Sequence, residues 1–169
     1  MGRMSVSQFH KADKLPVIVV LDGVRSLYNV GSVFRTSDAF RVTCVVLCGI
    51  TATPPNVEIH KTALGAEESV DWKYFNETLD AIKWLRSEGY TILSIEQCHG
   101  STMLQNFHPD RSKKYAIILG NEVKGIQQNV VDICDACIEI PQFGTKHSMN
   151  VSVTAGIIIW HFASSLLND

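Results

Sequence analysis

The chain has 169 residues, of which 46% are hydrophobic and 19% charged, and its formal net charge is −2. That length supports one domain with a substantial buried core. No apolar run reaches the ~20 residues that span a bilayer, and the charge balance excludes the broad basic surface of a strong stand-alone nucleic-acid binder, though not a local basic patch.

In chain order, the opening MGRMSVSQFHKADK lacks the apolar centre of a secretory signal, so a cytoplasmic protein is expected. Residues 1–14 are read as a short N-terminal segment carrying a short helix into the sheet. The runs Val17–Leu21, Thr43–Cys48, Tyr90–Ile95, Tyr115–Gly120 and Cys137–Ile140 read as buried strands, with Trp72–Phe75 a shorter one. Between them, NETLDAIKWLRSEG predicts a helix capped by Asn76 and stopped by Gly89, with Leu79, Ile82 and Leu85 at helical spacing. GIQQNVVDICD predicts a shorter helix, and NVSVTAGIIIWHFASSLL a long terminal one. Alternating strands and helices predict an α/β fold: a mainly parallel sheet covered by helices on both faces, in a single domain over residues 1–169 with no separate RNA-binding domain.

Five cysteines leave an odd one over, and they sit mostly in apolar segments, so reduced thiols are expected, with Cys44 and Cys48 packing as small apolar groups. Cys134 and Cys137 have the spacing of a metal or redox pair, but no second such pair exists and no metal site is expected.

Ligands of open parallel sheets gather at the carboxyl ends of the strands, which directs attention to four segments. In the first, Asp22–Gly31, the stretch LYNVGSVFRTSDAF places Asn29 at a helix cap, with Gly31 and Arg35 on one face at i and i+4 and Val30, Val33, Phe34 and Ser37 on the packed one. Gly31 then leaves room for whatever Arg35 reaches. Taken alone, these residues fit equally a surface arginine paired with Asp38 at i+3. Glu96–Gly100 follows another strand. In LGNEVKGI two glycines flank Asn121 and Glu122, so the backbone has freedom to approach a ligand, although a plain strand-to-helix connection explains it as well. In IPQFGTKHSMNVSVTAG, Pro141 ends a strand and Ser148 or Asn150 caps the terminal helix. That helix is apolar nearly all round, which predicts burial in the core or in a subunit interface.

Taken in order, N-x-G-x-x-x-R at Asn29–Arg35, L-G-N-E-x-x-G at Leu119–Gly125 and I-P-x-x-G-x-x-x-S-M-N-V-S at Ile140–Ser152 resemble the three motifs of the SpoU/TrmH branch of the SPOUT methyltransferases. The resemblance runs from near Leu15 to the end. It implies an RNA ribose 2′-O-methyltransferase acting on tRNA or rRNA with S-adenosylmethionine, a C-terminal deep trefoil knot and a homodimer. It implies a cofactor held by Ile95, Glu96, Leu119, Gly120, Asn121, Gly125, Ile140, Ser148 and Met149. Arg35 would act on the hydroxyl, with Asn29 and Asn150 positioning substrate and loop and Glu122 orienting Arg35 or a motif loop. A guanidinium is a poor base, so Arg35 is read as gripping the neighbouring phosphate bidentately and lowering the hydroxyl's pKa through its charge. The chain departs from the family pattern at Arg41, where glycine is usual, at Gln142, where methionine is usual, and at Met149, where leucine is usual. With a net charge of −2, capture of RNA would fall either to local patches, with Arg25, Arg35, Arg41, Arg111, Lys113, Lys114, Lys146 and His147 as the candidates, or to a partner. The alternative is a non-catalytic RNA-binding or assembly protein that kept the fold, and it predicts damaged motifs where these are intact.

Overall fold

The computed structural model describes residues 2–167; residues 1, 168 and 169 of the expected domain lie outside the described residues. Helix α1 (Val6–Lys11) opens on a capping box, in which Ser5 Oγ accepts from the Gln8 amide while Gln8 Oε1 accepts from the Ser5 amide. Seven strands follow: β1 (Leu15–Asp22), β2 (Val42–Cys48), β3 (Trp72–Phe75), β4 (Tyr90–Ile95), β5 (Thr102–Met103), β6 (Lys114–Gly120) and β7 (Ala136–Glu139). They form one sheet in the order β3-β2-β1-β6-β4-β7-β5, with every pairing parallel.

The continuous Val/Ile runs follow from burial on both faces, since successive side chains point to opposite sides. Val17, Val19 and Leu21 of β1 pack on one side with helices α2 (Leu27–Ala39), α3 (Val57–Ala63) and α7 (Val151–Leu166). Ile18 and Val20 pack on the other with α5 (Thr78–Ser87) and α6 (Gln128–Val131). A four-residue helix, α4 (Ala66–Ser69), completes the first layer.

Several expectations are corrected. Helix α2 begins two residues before Asn29, because Ser26 is its cap and accepts from the Asn29 amide at 3.1 Å. Asn29 is therefore a buried first-turn residue rather than the cap. Gly31 does not clear space for Arg35: a Cβ there would overlap Thr62 Oγ1 and the Ile59 carbonyl, so the glycine admits α3 against α2. Gly31→Ala is expected to destabilise by about 1–3 kcal/mol through overpacking, lowering Tm by roughly 2–4 °C per kcal/mol in calorimetric unfolding.

Asn76 does not cap α5. The cap is Glu77, without a side-chain bond, and the Thr78 hydroxyl donates to buried Asp22 at 2.6 Å, drawing the helix start onto the end of β1. Helix α6 has only four residues, since Asp135 exchanges bonds with Ile92 of β4, its amide donating to the carbonyl and its carboxylate accepting from the amide. Arg41, where the family usually has glycine, adopts φ +53°, the left-handed region that glycine occupies most easily. Cys98 and Cys137 are joined in a disulfide where reduced thiols were expected, the β4–β7 pairing having brought Cys137 beside the loop after β4. Cys44 and Cys48 are buried, and burial pushes both thiols up to about 12. Among the described residues no helix is long and apolar enough to cross a membrane, and no group of three or more His, Cys, Asp or Glu is placed to hold a metal ion.

A cleft at the carboxyl ends of three strands

Because all strands run parallel, the loops after β4, β6 and β7 leave the same edge of the sheet, and they enclose a cleft of about 550 Å³. That is within the usual range for an organic ligand, ~300–1,000 Å³. Ile95, Leu119 and Ile140 end or follow their strands and give the cleft apolar wall. Glu96, Gly120, Asn121, Glu122, Gly125, Ser148, Met149 and Asn150 line it too, as do Val123, Lys124, Gln142, His147 and Val151, and so do Gln97, Glu139 and Thr154. The last three were not singled out from the sequence. Thr154 had a readable signal, lying one helical turn beyond Asn150, and Glu139 is the charged residue in an otherwise apolar strand end.

The loop after β6 is folded onto itself. Asn121 and Gly125 exchange two backbone hydrogen bonds of 3.1 and 2.9 Å, and Asn121 Oδ1 accepts from the amides of Val123 and Lys124. Both glycines serve this fold directly. A Cβ on Gly120 would overlap the Gly125 backbone and the Ile126 amide nitrogen. One on Gly125, at φ +70°, would lie 2.7 Å from Glu96 Oε2. Glu96 accepts from the Ile126 amide at 2.9 Å, so a carboxylate of the β4 loop fixes the end of the β6 loop.

The same loop is clamped to the β1–α2 turn. Asn121 Nδ2 donates to the Gly23 carbonyl at 2.8 Å. Glu122 accepts from the Arg25 amide at 3.1 Å, the Ser26 amide at 2.9 Å and Asn29 Nδ2 at 3.3 Å. Asn29 Oδ1 is buried and has no partner among the described residues. Reversing the amide would set that oxygen against the Glu122 carboxylate, so the donor is placed correctly. Burial alone pushes the Glu122 carboxyl up, but the amides of Ser26 and Arg25, with Asn29, outweigh it and hold the group below its ordinary value of 4.5. A depressed carboxyl stabilises the fold above its unfolded value and loses that contribution as pH falls through the folded one. Glu122→Gln is therefore expected to lower Tm at neutral pH, with the gap to the parent closing below about pH 4.5 in a thermal-unfolding series.

Asn150 caps α7, its Oδ1 accepting from the Ser152 amide at 2.9 Å. Arg35 stands exposed on α2 and, like Asn29, does not line the cleft. It makes no ion pair with Asp38, which accepts from the Ser69 hydroxyl instead. The structure thus gathers Glu122, Asn150 and all nine expected cofactor residues around one space, holds Asn29 behind it through Glu122, and leaves Arg35 outside.

The fold is a parallel α/β domain with a cleft at the carboxyl ends of its strands, the place where open parallel sheets take small organic ligands. The chain belongs to the SpoU rRNA Methylase family, whose model matches residues 16–160. It is 31% identical over 144 residues to the 23S rRNA (guanosine-2′-O-)-methyltransferase RlmB of Neisseria meningitidis serogroup B, covering 85% of this chain and 56% of that protein. It is 30% identical to the same-named protein of Coxiella burnetii, covering 92% of this chain and 61% of the relative. A solved AdoMet-bound rRNA methyltransferase from Sinorhizobium meliloti superposes with a TM-score of 0.82 at 27% identity, over 92% of this chain and 62% of that one. The chain thus spans less than two thirds of the length of these relatives.

Proposed function

We propose that this chain is an S-adenosylmethionine-dependent RNA methyltransferase acting on a ribose 2′-hydroxyl of tRNA or rRNA. The observation that carries this reading is the convergence of the β4, β6 and β7 loops on one cleft whose β6 loop is clamped through Glu122 to the helix bearing Arg35. The family and the named activities of the relatives support it.

The cleft suits the cofactor chemically. Ile95, Leu119 and Ile140 offer apolar wall for an adenine, Glu96, Glu122 and Glu139 place negative charge that favours a cationic sulfonium and amine, and Lys124 adds one positive charge to the same lining. S-adenosylmethionine would supply an activated methyl group there. The residues' own task is to hold loop and nucleophile in line. Asn121 and Glu96 keep the loop closed, Asn150 fixes the start of α7, and Glu122 sets the first turn of α2. Arg35, exposed about two turns further along α2, would grip the phosphate beside the target ribose and stabilise negative charge developing on the 2′ oxygen.

Two chains would pair through α7. Val153, Ile157 and Trp160 recur at i, i+4 and i+7 and are 52%, 36% and 58% exposed, an apolar stripe a second copy would cover. The C-terminal loops would thread as the deep trefoil knot of the family, in the cytoplasm where RNA is modified.

Calorimetric titration of the purified chain with S-adenosylmethionine, followed by assay of methyl transfer to total RNA, tests the reading. Micromolar-range binding with 2′-O-methyl acceptance is expected. A folded protein that binds RNA but no cofactor would instead be the non-catalytic form of the fold.

A further inference from the structure

Phe143 is 94% exposed, in the connection between β7 and α7, one residue after Gln142 on the cleft wall. Among the described residues it makes no ring contact, although seven other aromatic pairs form. A phenyl ring so placed gives up nearly all the stabilisation that burial would bring it. Lys146, a cation, and the polar His147 follow on the same connection and are exposed, and His147 lines the cleft. Across the cleft, the β6 loop presents Lys124 and a 91% exposed Val123. An exposed ring interleaved with cations beside a cleft is the composition used to hold unpaired nucleotides, with the base on the ring and the backbone on the charges.

We propose that Phe143 is a stacking platform for an unpaired RNA base adjoining the target nucleotide, so that the substrate is a single-stranded segment or loop rather than a regular duplex. The inference rests on the methyltransferase reading and adds the form of RNA it takes. In a continuous helix the bases are stacked on one another and offer no free face to the ring.

The test uses the full chain with two labelled probes, an oligoadenosine of about 12 nucleotides and a blunt-ended RNA duplex of the same length, in fluorescence-anisotropy titrations at low salt. Phe143→Ala and Phe143→Leu are each expected to weaken oligoadenosine binding about 5- to 150-fold, whereas Phe143→Trp keeps the parent affinity. Duplex affinity should be equal in all four proteins, and so should calorimetric binding of S-adenosylmethionine. Leucine retains apolar area without a π face, so a leucine variant that binds like the parent overturns stacking. Unchanged binding by the alanine variant, or a parent that does not bind oligoadenosine, overturns it too. A shift in sedimentation of the alanine variant alone would assign the ring to a protein contact and end the proposal. Cofactor binding separates the two readings: a parent that takes up S-adenosylmethionine while Phe143 proves irrelevant leaves the methyltransferase reading standing, and one that takes up none removes its basis.

Discussion

Replacing Arg35 by lysine is expected to reduce methyl transfer by roughly 100-fold or more, with affinity for S-adenosylmethionine unchanged. The separation of the two effects follows from placement. Arg35 is exposed on α2, outside the cleft that would hold the cofactor, so its loss leaves that cleft intact. Lysine keeps the charge but not the planar fork that meets a phosphate through two parallel hydrogen bonds. A fall in kcat at constant cofactor Kd, read from single-turnover kinetics and calorimetry, is the expected pattern. A lysine variant as active as the parent would rule out the bidentate grip. Weakened cofactor binding would place Arg35 inside the cofactor's own contacts.

Gly120→Ala is expected to weaken S-adenosylmethionine binding by about 100-fold, the scale of loss that a displacement near 1 Å brings to a preorganised site. The added Cβ meets backbone, the Gly125 carbonyl carbon and the Ile126 amide nitrogen, with the Gly125 oxygen 2.7 Å away, so no side-chain rotation relieves it. The loop must open, and the paired bonds between Asn121 and Gly125 open with it. The sheet beneath need not change, since Leu119 and Ile118 stay in register with β1. Circular dichroism should therefore match the parent while calorimetry shows the loss. Equal affinity in a well-folded variant would mean that the closed loop is not part of the binding surface.

Strands β1, β2, β4, β6 and β7 were legible because burial on both faces writes a continuous apolar run, although the ends of all but β4 moved by one or two residues. The two-residue β5 was not read at all. Helices α3 and α4, of seven and four residues, were not. Neither is long enough to display a helical period, and both owe their place to packing on α2. Gly31 shows the sharper limit. Its spacing to Arg35 suggested a shared site, yet the atoms that require a glycine belong to Ile59 and Thr62, on a helix invisible in the sequence. Glu122 was recognised through its motif, but its partners Arg25, Ser26 and Asn29 lie more than ninety residues earlier, beyond any local pattern. Phe143 carried no signal as a motif position. Only its exposure in the folded chain distinguishes it from a core residue.

The order of the strands also sets an order of assembly. Strands β1, β2 and β3 are consecutive in sequence and adjacent in the sheet, so they and their helices can pair early, with short loops to close. β6 must then enter between β1 and β4, and β7 between β4 and β5, contacts whose large sequence separation makes them slow to form. The three loops around the cleft all belong to this later half. On the ribosome the strands of the first half emerge first, and the cleft cannot exist until β7 and the loop beyond it have been made. Acquisition of ligand binding, followed in time during refolding, would therefore mark the last step of folding rather than the collapse of the core.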